Sequence, residues 1–211
     1  MKIKTNWQNY HSYLRQATIG RIPQYFHWKA YMYLLKRIVF NKNIDILELG
    51  SGTGLNTLKM CNYFDTNCVT LIDNNTDALR MSEKLFRTID IKKEFIEEDV
   101  TNFNTDRRFD LVHSHGLVEH FQASVTKDLI KKHIGLARSN GYIIIFVPTP
   151  IGNYMKCRKV CERLNLWPFP DERPISEKEL MDEANKYNIE IIDSIVYYVV
   201  YPTLGILIKK I

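Results

Sequence analysis

Apolar runs of five or six residues alternate along the chain with segments in which apolar residues recur every three or four positions. The runs predict strands at 44–49, 68–72, 93–97, 109–114 and 142–147, and the periodic segments predict helices at 23–40, 55–64, 75–88 and 124–138. Strands that alternate with helices in this way form a parallel sheet that is covered on both faces. Ser139-Asn140-Gly141 predicts a turn or a helix stop before the fifth strand.

The C-terminal part of the chain departs from this alternation. Strand-like runs at 189–200 and 204–209 have a short connection, whereas a parallel return needs a crossover of a dozen or more residues. These runs therefore predict an antiparallel hairpin. Before them, Ser176-Glu177-Lys178-Glu179 has the pattern of a capping box and predicts a helix to about Tyr187. The predicted fold class is α/β, a Rossmann-like parallel sheet with helices on both faces and a C-terminal antiparallel β-hairpin.

The first predicted strand runs directly into three alternating glycines. Glu48-Leu49-Gly50-Ser51-Gly52-Thr53-Gly54 joins it to the helix that begins near Leu55. Because glycine has no side chain, a ligand can lie against the backbone amides of such a turn, close to the positive end of the next helix. An adenosine-containing cofactor suits this turn. The dinucleotide fingerprint G-x-G-x-x-G would place its third glycine at position 55, where the chain has leucine.

Acidic residues stand at the ends of the next two predicted strands. Asp73 ends the second strand, followed by Asn74, and a carboxylate there can accept hydrogen bonds from both ribose hydroxyls of a nucleotide. Glu98 and Asp99 end the third strand, followed by Val100. Taken alone, Asp73 is equally consistent with a helix cap, and the pair Glu98-Asp99 with a solvated surface. The placement of acids at successive strand ends favours a shared ligand site.

These motifs together resemble those of class I S-adenosylmethionine (SAM)-dependent methyltransferases, of the small-molecule, type 11/12-like group. Glu48-x-Gly50-x-Gly52-x-Gly54 is similar to the first motif of that family, and residues 109–121 resemble its fourth strand and following loop. The resemblance covers residues 44–150 well and the C-terminal third loosely. It implies SAM as cofactor, and it implies cofactor contacts at Glu48, Gly50, Ser51, Gly52, Gly54, Asp73, Asn74, Asp99, Val100, His115 and Gly116.

The resemblance also implies a role for several of these residues. Glu48 would orient the turn or the methionine end of the cofactor, Asp73 would hold the ribose, and Asp99 with Val100 would hold the adenine. His115 and Gly116 would line the pocket for the methionine half.

Three histidines near the fourth predicted strand are candidates for proton transfer. His113 lies inside the strand, so we expect it to be packed and hydrogen-bonded. His115 stands at the carboxyl end of the strand and is the candidate catalytic residue, because its ordinary pKa suits proton transfer near pH 7. Glu119-His120 matches the last two ligands of an E-x-x-E-H metal motif found in some relatives, but Gly116 replaces the first glutamate. No metal is therefore predicted, and His120 is expected to brace the loop.

The segment after the fourth strand bears on the class of methyl acceptor. Methyltransferases of nucleic-acid bases carry an Asp/Asn/Ser-Pro-Pro-aromatic motif there, and protein-arginine methyltransferases carry two glutamates; this chain has His113-Ser114-His115-Gly116 and one glutamate. A small-molecule methyl acceptor is predicted, with its identity, O-, N- or C-methylation and the oligomeric state left open. The alternatives are a metal-assisted methyltransferase of RNA ends or a quinone precursor that uses Glu119 and His120, a SAM-binding protein or partner subunit without catalysis, and a dehydrogenase.

Composition and charge fit a cytoplasmic protein with one full core. The chain has 211 residues, and none of its apolar runs approaches the ~20 residues of a membrane span. The N-terminus does not have the pattern of a secretion signal. A net charge of +5 with scattered lysines argues against a nucleic-acid partner. The cysteines, Cys61, Cys68, Cys157 and Cys161, form no C-x-x-C pair and are expected to be reduced thiols.

Two further segments are predicted to border the site. Residues 1–43 are predicted to be an N-terminal helical lid or cap, and residues 44–211 the SAM-binding domain. The aromatic residues of the first segment either close over the cofactor or only cover the helices of the domain: Trp7, Tyr10, Tyr13, Tyr25, Phe26 and Trp28. A proline-rich insertion at about 148–174, with a short helix at 154–164, stands at the carboxyl edge of the sheet, where ligands bind in such folds. Its aromatic residues either wall a substrate pocket or pack locally: Tyr154, Trp167 and Phe169.

Overall fold

The computed structural model describes Thr5, residues 21–198 and residues 201–211. The strands are β1 (Ile44–Leu49), β2 (Thr66–Asp73), β3 (Lys92–Glu97), β4 (Phe109–His115), β5 (Ala137–Pro148), β6 (Ile189–Tyr198) and β7 (Pro202–Lys210). The α-helices are α1 (Arg21–Leu35), α2 (Leu55–Cys61), α3 (Thr76–Leu85), α4 (Ala123–Leu136), α5 (Tyr154–Arg163) and α6 (Glu177–Ala184). Short 3₁₀ helices span Phe86–Thr88 and Val118–His120.

The described strands form one seven-stranded sheet in the order β3-β2-β1-β4-β5-β7-β6. Strands β1 to β5 are parallel, and β7 pairs antiparallel with both β5 and β6. This topology confirms the predicted fold class, including the C-terminal hairpin. Because β1 lies between β2 and β4, the strand order reverses at β1, and a crevice opens at the carboxyl ends of these strands.

Helices cover both faces of the sheet, as predicted. On β5, Ile143 and Ile145 face a core that includes residues of α4 and α6, whereas Ile144 and Phe146 face a core that includes residues of α1 and α2. A strand that is buried on both faces must be apolar at successive positions, which explains the continuous apolar run at 142–147.

The predicted elements are present, but several of their ends differ. The first described helix ends at Leu35 rather than Phe40, and α2 ends at Cys61 rather than Phe64. The helix predicted at 75–88 is α3 followed by the 3₁₀ turn at Phe86–Thr88. Ser176 caps α6 by accepting a hydrogen bond from the Glu179 backbone N–H at 3.1 Å, which confirms the capping residue, although α6 ends at Ala184 rather than Tyr187.

The turn predicted at 139–141 is instead an irregularity within β5. Phe109 pairs with Ala137 and Leu111 pairs with Tyr142, so five steps along β5 match two steps along β4. Asn140 has a φ of 62°, and a Cβ on Gly141 would lie 3.0 Å from the Arg138 carbonyl oxygen. The chain therefore bulges at the predicted place without ending the strand.

Residues 1–4 and 6–20 of the predicted lid lie outside the described residues, and Trp7, Tyr10 and Tyr13 are among them. Within α1, Tyr31 is fully buried against the sheet, while Tyr25 and Phe26 are exposed. None of the described helices has both the length and the apolar character needed to cross a bilayer.

Candidate active site

A cavity of about 480 Å³ opens at the carboxyl ends of the central strands. Of the residues that the sequence resemblance assigns to the cofactor, ten line this cavity: Glu48, Gly50, Ser51, Gly52, Asp73, Asn74, Asp99, Val100, His115 and Gly116. They come from four separate strand ends. The fold therefore brings the predicted contacts into one space, and Gly54 is the exception.

The glycine turn follows β1 directly and is held in a left-handed conformation. Gly50, Gly52 and Gly54 have φ angles of 65°, 52° and 66°, which residues with a side chain rarely adopt. At Gly50 a Cβ would lie 2.7 Å from the side chain of Leu117, which also lines the cavity. Glycine at this position thus allows the turn and the loop after β4 to approach closely.

Gly54 serves packing rather than the cavity wall. It does not line the cavity, and a Cβ on it would lie 2.6 Å from Leu71 Cδ1 and 3.1 Å from the ring of Phe86. It is also the residue that precedes α2. This glycine lets α2 start close to the sheet, and a cofactor contact at Gly54 stays a prediction.

Asp73, the last residue of β2, fixes the glycine turn. Its Oδ2 accepts a hydrogen bond from the Gly52 backbone N–H at 2.7 Å, and its Oδ1 accepts one from the Asn75 backbone N–H at 2.8 Å. The helix-cap interpretation of Asp73 is wrong, because Asn75 caps α3 by accepting hydrogen bonds from the backbone N–H groups of Asp77 and Ala78. Asp73 therefore does not cap α3, and it lines the cavity.

Asp99 and Val100 follow β3 in a loop that is tied down from two sides. Asp99 Oδ1 accepts hydrogen bonds from both the backbone N–H and the hydroxyl of Thr101, at 2.8 and 2.7 Å. The ammonium group of Lys132 on α4 donates to the carbonyl oxygens of Val100, Thr101 and Phe103, each at 2.8 Å. Lys132 therefore holds the loop that carries Asp99, a role that the sequence alone did not predict.

A series of buried side-chain hydrogen bonds lies behind the glycine turn. Thr57 Oγ1 donates to Glu48 Oε2 at 2.6 Å and lies 2.8 Å from His113 Nε2. Since the hydroxyl proton goes to Glu48, His113 must donate from Nε2, which leaves its Nδ1 to accept from the Tyr31 hydroxyl at 3.4 Å. His113 is therefore packed and hydrogen-bonded, as expected. Burial raises the pKa of Glu48 to about 8 and lowers the pKa of His113 to about 3.

His115 ends β4 within a group of rings. It stacks on Phe146 with 5.2 Å between ring centroids, and His27 of α1 meets it edge-on at 4.8 Å. Its Nδ1 is buried and has no hydrogen-bond partner among the described residues. Burial lowers the pKa of His115 well below its ordinary value, with His27 and His113 adding to the effect. The imidazole is therefore neutral near pH 7.

Glu119 lies on the cavity wall in the 3₁₀ turn after β4. Its side chain is 2% exposed, and Oε2 has no hydrogen-bond partner among the described residues. Burial raises the pKa of this carboxyl well above its ordinary value, with smaller contributions from Glu172 and Asp171. A Cβ on Gly116 would lie 3.6 Å from Glu119 Oε1, so this carboxyl stands beside the predicted reaction centre.

His120, the second residue of the incomplete metal motif, is bonded away from Glu119. Its Nδ1 lies 3.0 Å from Asp171 Oδ1, whereas its Nε2 lies 3.9 Å from Glu119 Oε1. Asp171 also accepts a hydrogen bond from the Thr5 backbone N–H at 3.0 Å. His120 therefore braces the loop against the insertion. Within the described part of the chain, no group of three or more His, Cys, Asp or Glu residues is placed to hold a metal ion.

The insertion after β5 supplies part of the wall. Phe169 and Glu172 line the cavity, and Tyr154 supports them from behind by donating its hydroxyl proton to Glu172 Oε1 at 2.6 Å. Arg158 donates to the same oxygen at 3.0 Å. Trp167 packs on Tyr154 and Phe169 and does not line the cavity. Of the predicted aromatic wall, Phe169 alone reaches the cavity.

Sequence reasoning missed several lining residues. They are His27, Thr53, Asn56, Met81, Leu85, Leu117, Phe121, Glu172 and Tyr201. Met81 and Leu85 are four apart on α3 and share one face, which a helical pattern shows only as a core stripe. His27 and Tyr201 come from distant parts of the chain, and no local motif marks them.

Polar atoms in the wall test whether a SAM-like molecule suits the cavity. Ser51 Oγ and His115 Nδ1 are buried without hydrogen-bond partners among the described residues, and the turn contributes backbone without side chains at Gly50 and Gly52. Buried polar groups are nearly always hydrogen-bonded in native proteins. A ligand with hydroxyl, amino and carboxylate groups would satisfy such atoms. The residues present therefore fit a nucleoside that carries an amino-acid group.

The strand order, the glycine turn and the acids at successive strand ends define the class I methyltransferase fold. Residues 46–141 match the model of a family described as "Methyltransferase domain". That segment is 96 of the 211 residues and is similar to methyltransferase domains, and the chain as a whole has the fold of SAM-dependent class I methyltransferases.

Known proteins that resemble the chain agree with this family. A malonyl-[acyl-carrier protein] O-methyltransferase from Priestia megaterium is 27% identical over 84 residues, which is 40% of this chain and 30% of that protein. The chain thus matches less than a third of this curated relative's length. A SAM-dependent methyltransferase from Clostridium acetobutylicum superposes with a TM-score of 0.69 at 17% identity, over 97% of this chain and 99% of that chain. The N-methyltransferase NodS from Bradyrhizobium japonicum, solved with S-adenosylhomocysteine (SAH), superposes with a TM-score of 0.68 at 13% identity, over 88% and 87%.

Proposed function

We propose that this protein transfers the methyl group of SAM to a small-molecule acceptor. The observation that carries the proposal is one cavity at the strand-order reversal, which gathers the glycine turn, Asp73, Asp99 and His115. These residues lie far apart in the sequence, and only the fold makes them neighbours.

The proposed roles follow the position of each residue. Asp73 binds the ribose hydroxyls while its bonds to the turn hold it in place, and Asn74 borders the same part of the cavity. Asp99 and Val100 bind the adenine. Glu48 and Ser51 stand at the base of the turn, where the methionine end lies.

The chemistry requires positioning above all. When bound, SAM supplies a methyl group on a positively charged sulfur, which an in-line nucleophile can attack. The protein's part is to align the acceptor, and such alignment contributes on the order of 7–11 kcal/mol in well-oriented intramolecular reactions. The rigid packing of His115 between Phe146 and His27 suits this task.

His115 is proposed as an acceptor contact rather than a titrating base. A ring whose pKa is held well below its ordinary value is a weak proton acceptor at pH 7. In the neutral tautomer that carries its proton on Nε2, the Nδ1 atom, which has no partner among the described residues, can still accept a hydrogen bond. The ring would therefore orient a polar acceptor at the cavity.

The segments that border the cavity fit a substrate-side role. Residues 1–43 are proposed to be a lid or cap over residues 44–211, and His27 of α1 already lines the cavity. The insertion at about 148–174 is proposed to form the acceptor side, since Phe169 and Glu172 line it. A cytoplasmic location and the absence of a nucleic-acid partner remain part of this proposal.

The malonyl-[acyl-carrier protein] O-methyltransferase acts, by its name, on an acyl-carrier-protein-linked malonyl group. Its match to this chain spans 84 residues, so its acceptor is one hypothesis among several small molecules.

A labelling experiment tests the proposal. The purified protein is incubated with SAM that carries an isotopic methyl label and with a metabolite extract, and labelled products are found by mass spectrometry. In parallel, calorimetry measures SAH binding. We expect SAH to bind and a labelled metabolite to form. If SAH binds but the label stays on SAM, the protein is a cofactor-binding protein without catalysis; if SAH does not bind, the cofactor site is wrong.

A further inference from the structure

The described residues that line the cavity include several with carboxyl groups and none with the positive charge of lysine or arginine. Five carboxyl side chains line it, from Glu48, Asp73, Asp99, Glu119 and Glu172, and no lysine or arginine is among the described lining residues. The whole chain nevertheless has a net charge of +5. Carboxyl groups therefore dominate the described lining, which offers no lysine or arginine to an anionic acceptor such as a carboxylate or a phosphate.

The proposed cofactor accounts for only part of this acidic lining. Glu48, Asp73 and Asp99 stand at the ends of β1, β2 and β3, where SAM is proposed to lie. Glu119 and Glu172 belong to the loop after β4 and to the insertion, on the proposed acceptor side. These two carboxyls therefore bear on the acceptor.

Glu172 is already compensated within the protein. Its Oε1 accepts hydrogen bonds from the Tyr154 hydroxyl at 2.6 Å and from Arg158 at 3.0 Å, and its backbone carbonyl accepts a second bond from Arg158. Arg158 is buried and is held away from the cavity by Glu172 and Glu162. This arginine therefore neutralises the insertion rather than serving an anionic ligand.

Glu119 lacks such compensation. Its Oε2 is buried without a hydrogen-bond partner among the described residues, and its Oε1 stands 3.9 Å from His120, whose other nitrogen is bonded to Asp171. Arg173, near the end of the insertion, donates from its guanidinium to Glu179 at 2.7 Å, and its Nε is buried without a hydrogen-bond partner among the described residues. The hydrogen bond that it makes with Glu119 runs from its backbone N–H to the Glu119 carbonyl oxygen. A buried oxygen without a donor costs free energy that a ligand donor would recover.

We propose that the methyl acceptor is a basic amine and that Glu119 receives an N–H hydrogen bond from its nitrogen through Oε2. This inference rests on the proposed function and names the substrate class of the same site. A basic amine supplies the donor that Glu119 lacks, and its positive form supplies the missing counter-charge. A carboxylate acceptor would instead meet no lysine or arginine among the described lining residues to balance its charge.

The Glu119 carboxyl can also take up the proton that an ammonium must lose before its nitrogen can be methylated. A protonated Glu119 with a neutral amine and an ionised Glu119 with an ammonium hold the same single proton, which moves between them along the hydrogen bond. Burial favours the protonated carboxyl. After this proton transfer, the carboxyl holds the proton away from the amine and accepts a hydrogen bond from one of its remaining N–H groups, which frees the nitrogen lone pair. That lone pair forms the bond to the methyl carbon as the carbon–sulfur bond breaks and leaves its electron pair on sulfur. The methylated product leaves as an ammonium, and Glu119 returns its proton to solvent before the next acceptor binds.

The test uses the full chain, labelled SAM and a metabolite extract, with three forms of the protein: wild type, Glu119→Gln and Glu83→Gln. Glu83 lies on the exposed face of α3 and serves as the matched control. Tandem mass spectrometry locates the labelled methyl, and mild base releases it as methanol only if it is a methyl ester. Calorimetric titration with SAH is run on each form.

The amine proposal predicts a labelled methyl on nitrogen that survives mild base. It also predicts that Glu119→Gln lowers the initial rate of labelling by tenfold or more, while the SAH affinity stays within twofold of wild type and Glu83→Gln behaves as wild type. A label on oxygen or carbon overturns the amine class but leaves methyl transfer intact. A label on nitrogen with an unchanged rate in Glu119→Gln removes Glu119 from the acceptor. If SAH binds and no labelled product forms, the proposed function itself fails.

Discussion

Gly205 on β7 lies directly opposite Phe146 on β5, and the ring of Phe146 fills the space where a side chain at position 205 would stand. A Cβ on Gly205 would lie 2.2 Å from Cε1 of that ring. The same ring stacks on His115 with 5.2 Å between centroids. A glycine in the C-terminal hairpin therefore sets the position of a histidine at the cavity.

Gly205→Ala should destabilise the protein, because the added methyl group must displace the Phe146 ring in a fully packed core. Overpacking of this kind costs about 1–3 kcal/mol. Urea denaturation of wild type and variant measures the change in the free energy of unfolding.

Gly135→Ala is the matched control for that substitution. Gly135 lies in the last turn of α4, and a Cβ there meets nothing within 4 Å. Alanine is favoured over glycine inside a helix by about 1 kcal/mol, so this variant should be more stable than wild type. Equal effects of the two substitutions would show that the space opposite Phe146 is not filled.

The contrast between Gly50 and Gly205 shows what sequence can predict. Gly50 belongs to a local pattern of strand, glycines and helix, so its place at the site could be predicted without knowing any distant contact. Gly205 matters because β7 lies between β5 and β6 in the register that pairs it with Phe146. A hairpin can be predicted from its short connection, but the register of its outer pairing depends on packing that the local sequence does not contain.

The same distinction holds for the acids of the site. Asp73 could be placed at a strand end from periodicity, whereas its role in holding the Gly52 amide required the geometry of the folded turn. Glu119 stands in an incomplete metal motif, and in the structure it is a buried carboxyl whose Oε2 has no hydrogen-bond partner among the described residues. The partners of a buried group come from distant segments, here the insertion that carries Asp171 and Glu172, so no local pattern shows whether the group is satisfied.

Asp73→Asn should weaken SAH binding. The neutral amide cannot accept two hydrogen bonds with the strength of a carboxylate, so both the ribose contact and the bond from the Gly52 amide weaken. A hydrogen bond to a charged group contributes about 1.5–3 kcal/mol, so the dissociation constant should rise by about tenfold or more. Calorimetric titration with SAH measures the change.

Asp77→Asn provides the comparison for Asp73. Asp77 is an exposed residue in the first turn of α3 and does not line the cavity. Its substitution should leave the SAH dissociation constant within about twofold of wild type. An unchanged affinity in Asp73→Asn would remove Asp73 from the cofactor site.

His115→Gln should lower the rate of methyl transfer without changing the pH at which activity rises or falls. Burial keeps the pKa of His115 well below its ordinary value, so the ring is neutral throughout pH 6–8 and contributes no titration step there. Glutamine retains a hydrogen-bonding group but lacks the rigid stack on Phe146, so orientation of the acceptor suffers.

The measurement for His115 is the pH profile of kcat/KM in wild type and variant. Profiles of the same shape at different heights would agree with a neutral positioning role. The loss of a step near the ordinary pKa of histidine in the variant would show that the ring exchanges a proton during the reaction.

Glu48→Gln should stabilise the protein increasingly as the pH rises from about 4.5 to about 8. The ordinary pKa of the glutamate carboxyl is 4.5, and burial raises the pKa of Glu48 in the folded protein to about 8. Between these values the unfolded chain releases a proton that the folded protein keeps, so wild-type stability falls with increasing pH. Glutamine has no proton to release, and its carbonyl oxygen can still accept the hydrogen bond from Thr57.

The size of that effect follows from the same linkage, which changes the free energy of unfolding by up to about 1.4 kcal/mol per pH unit for one group. Urea denaturation at pH 5 and pH 8 gives the difference between variant and wild type at each pH. The buried histidines titrate equally in both proteins and cancel in this difference. Glu83→Gln, an exposed substitution, should show a difference that does not vary with pH. If the Glu48→Gln difference is equally flat, the carboxyl of Glu48 is ionised in the folded protein at neutral pH, and the chain from His113 through Thr57 ends on an anion.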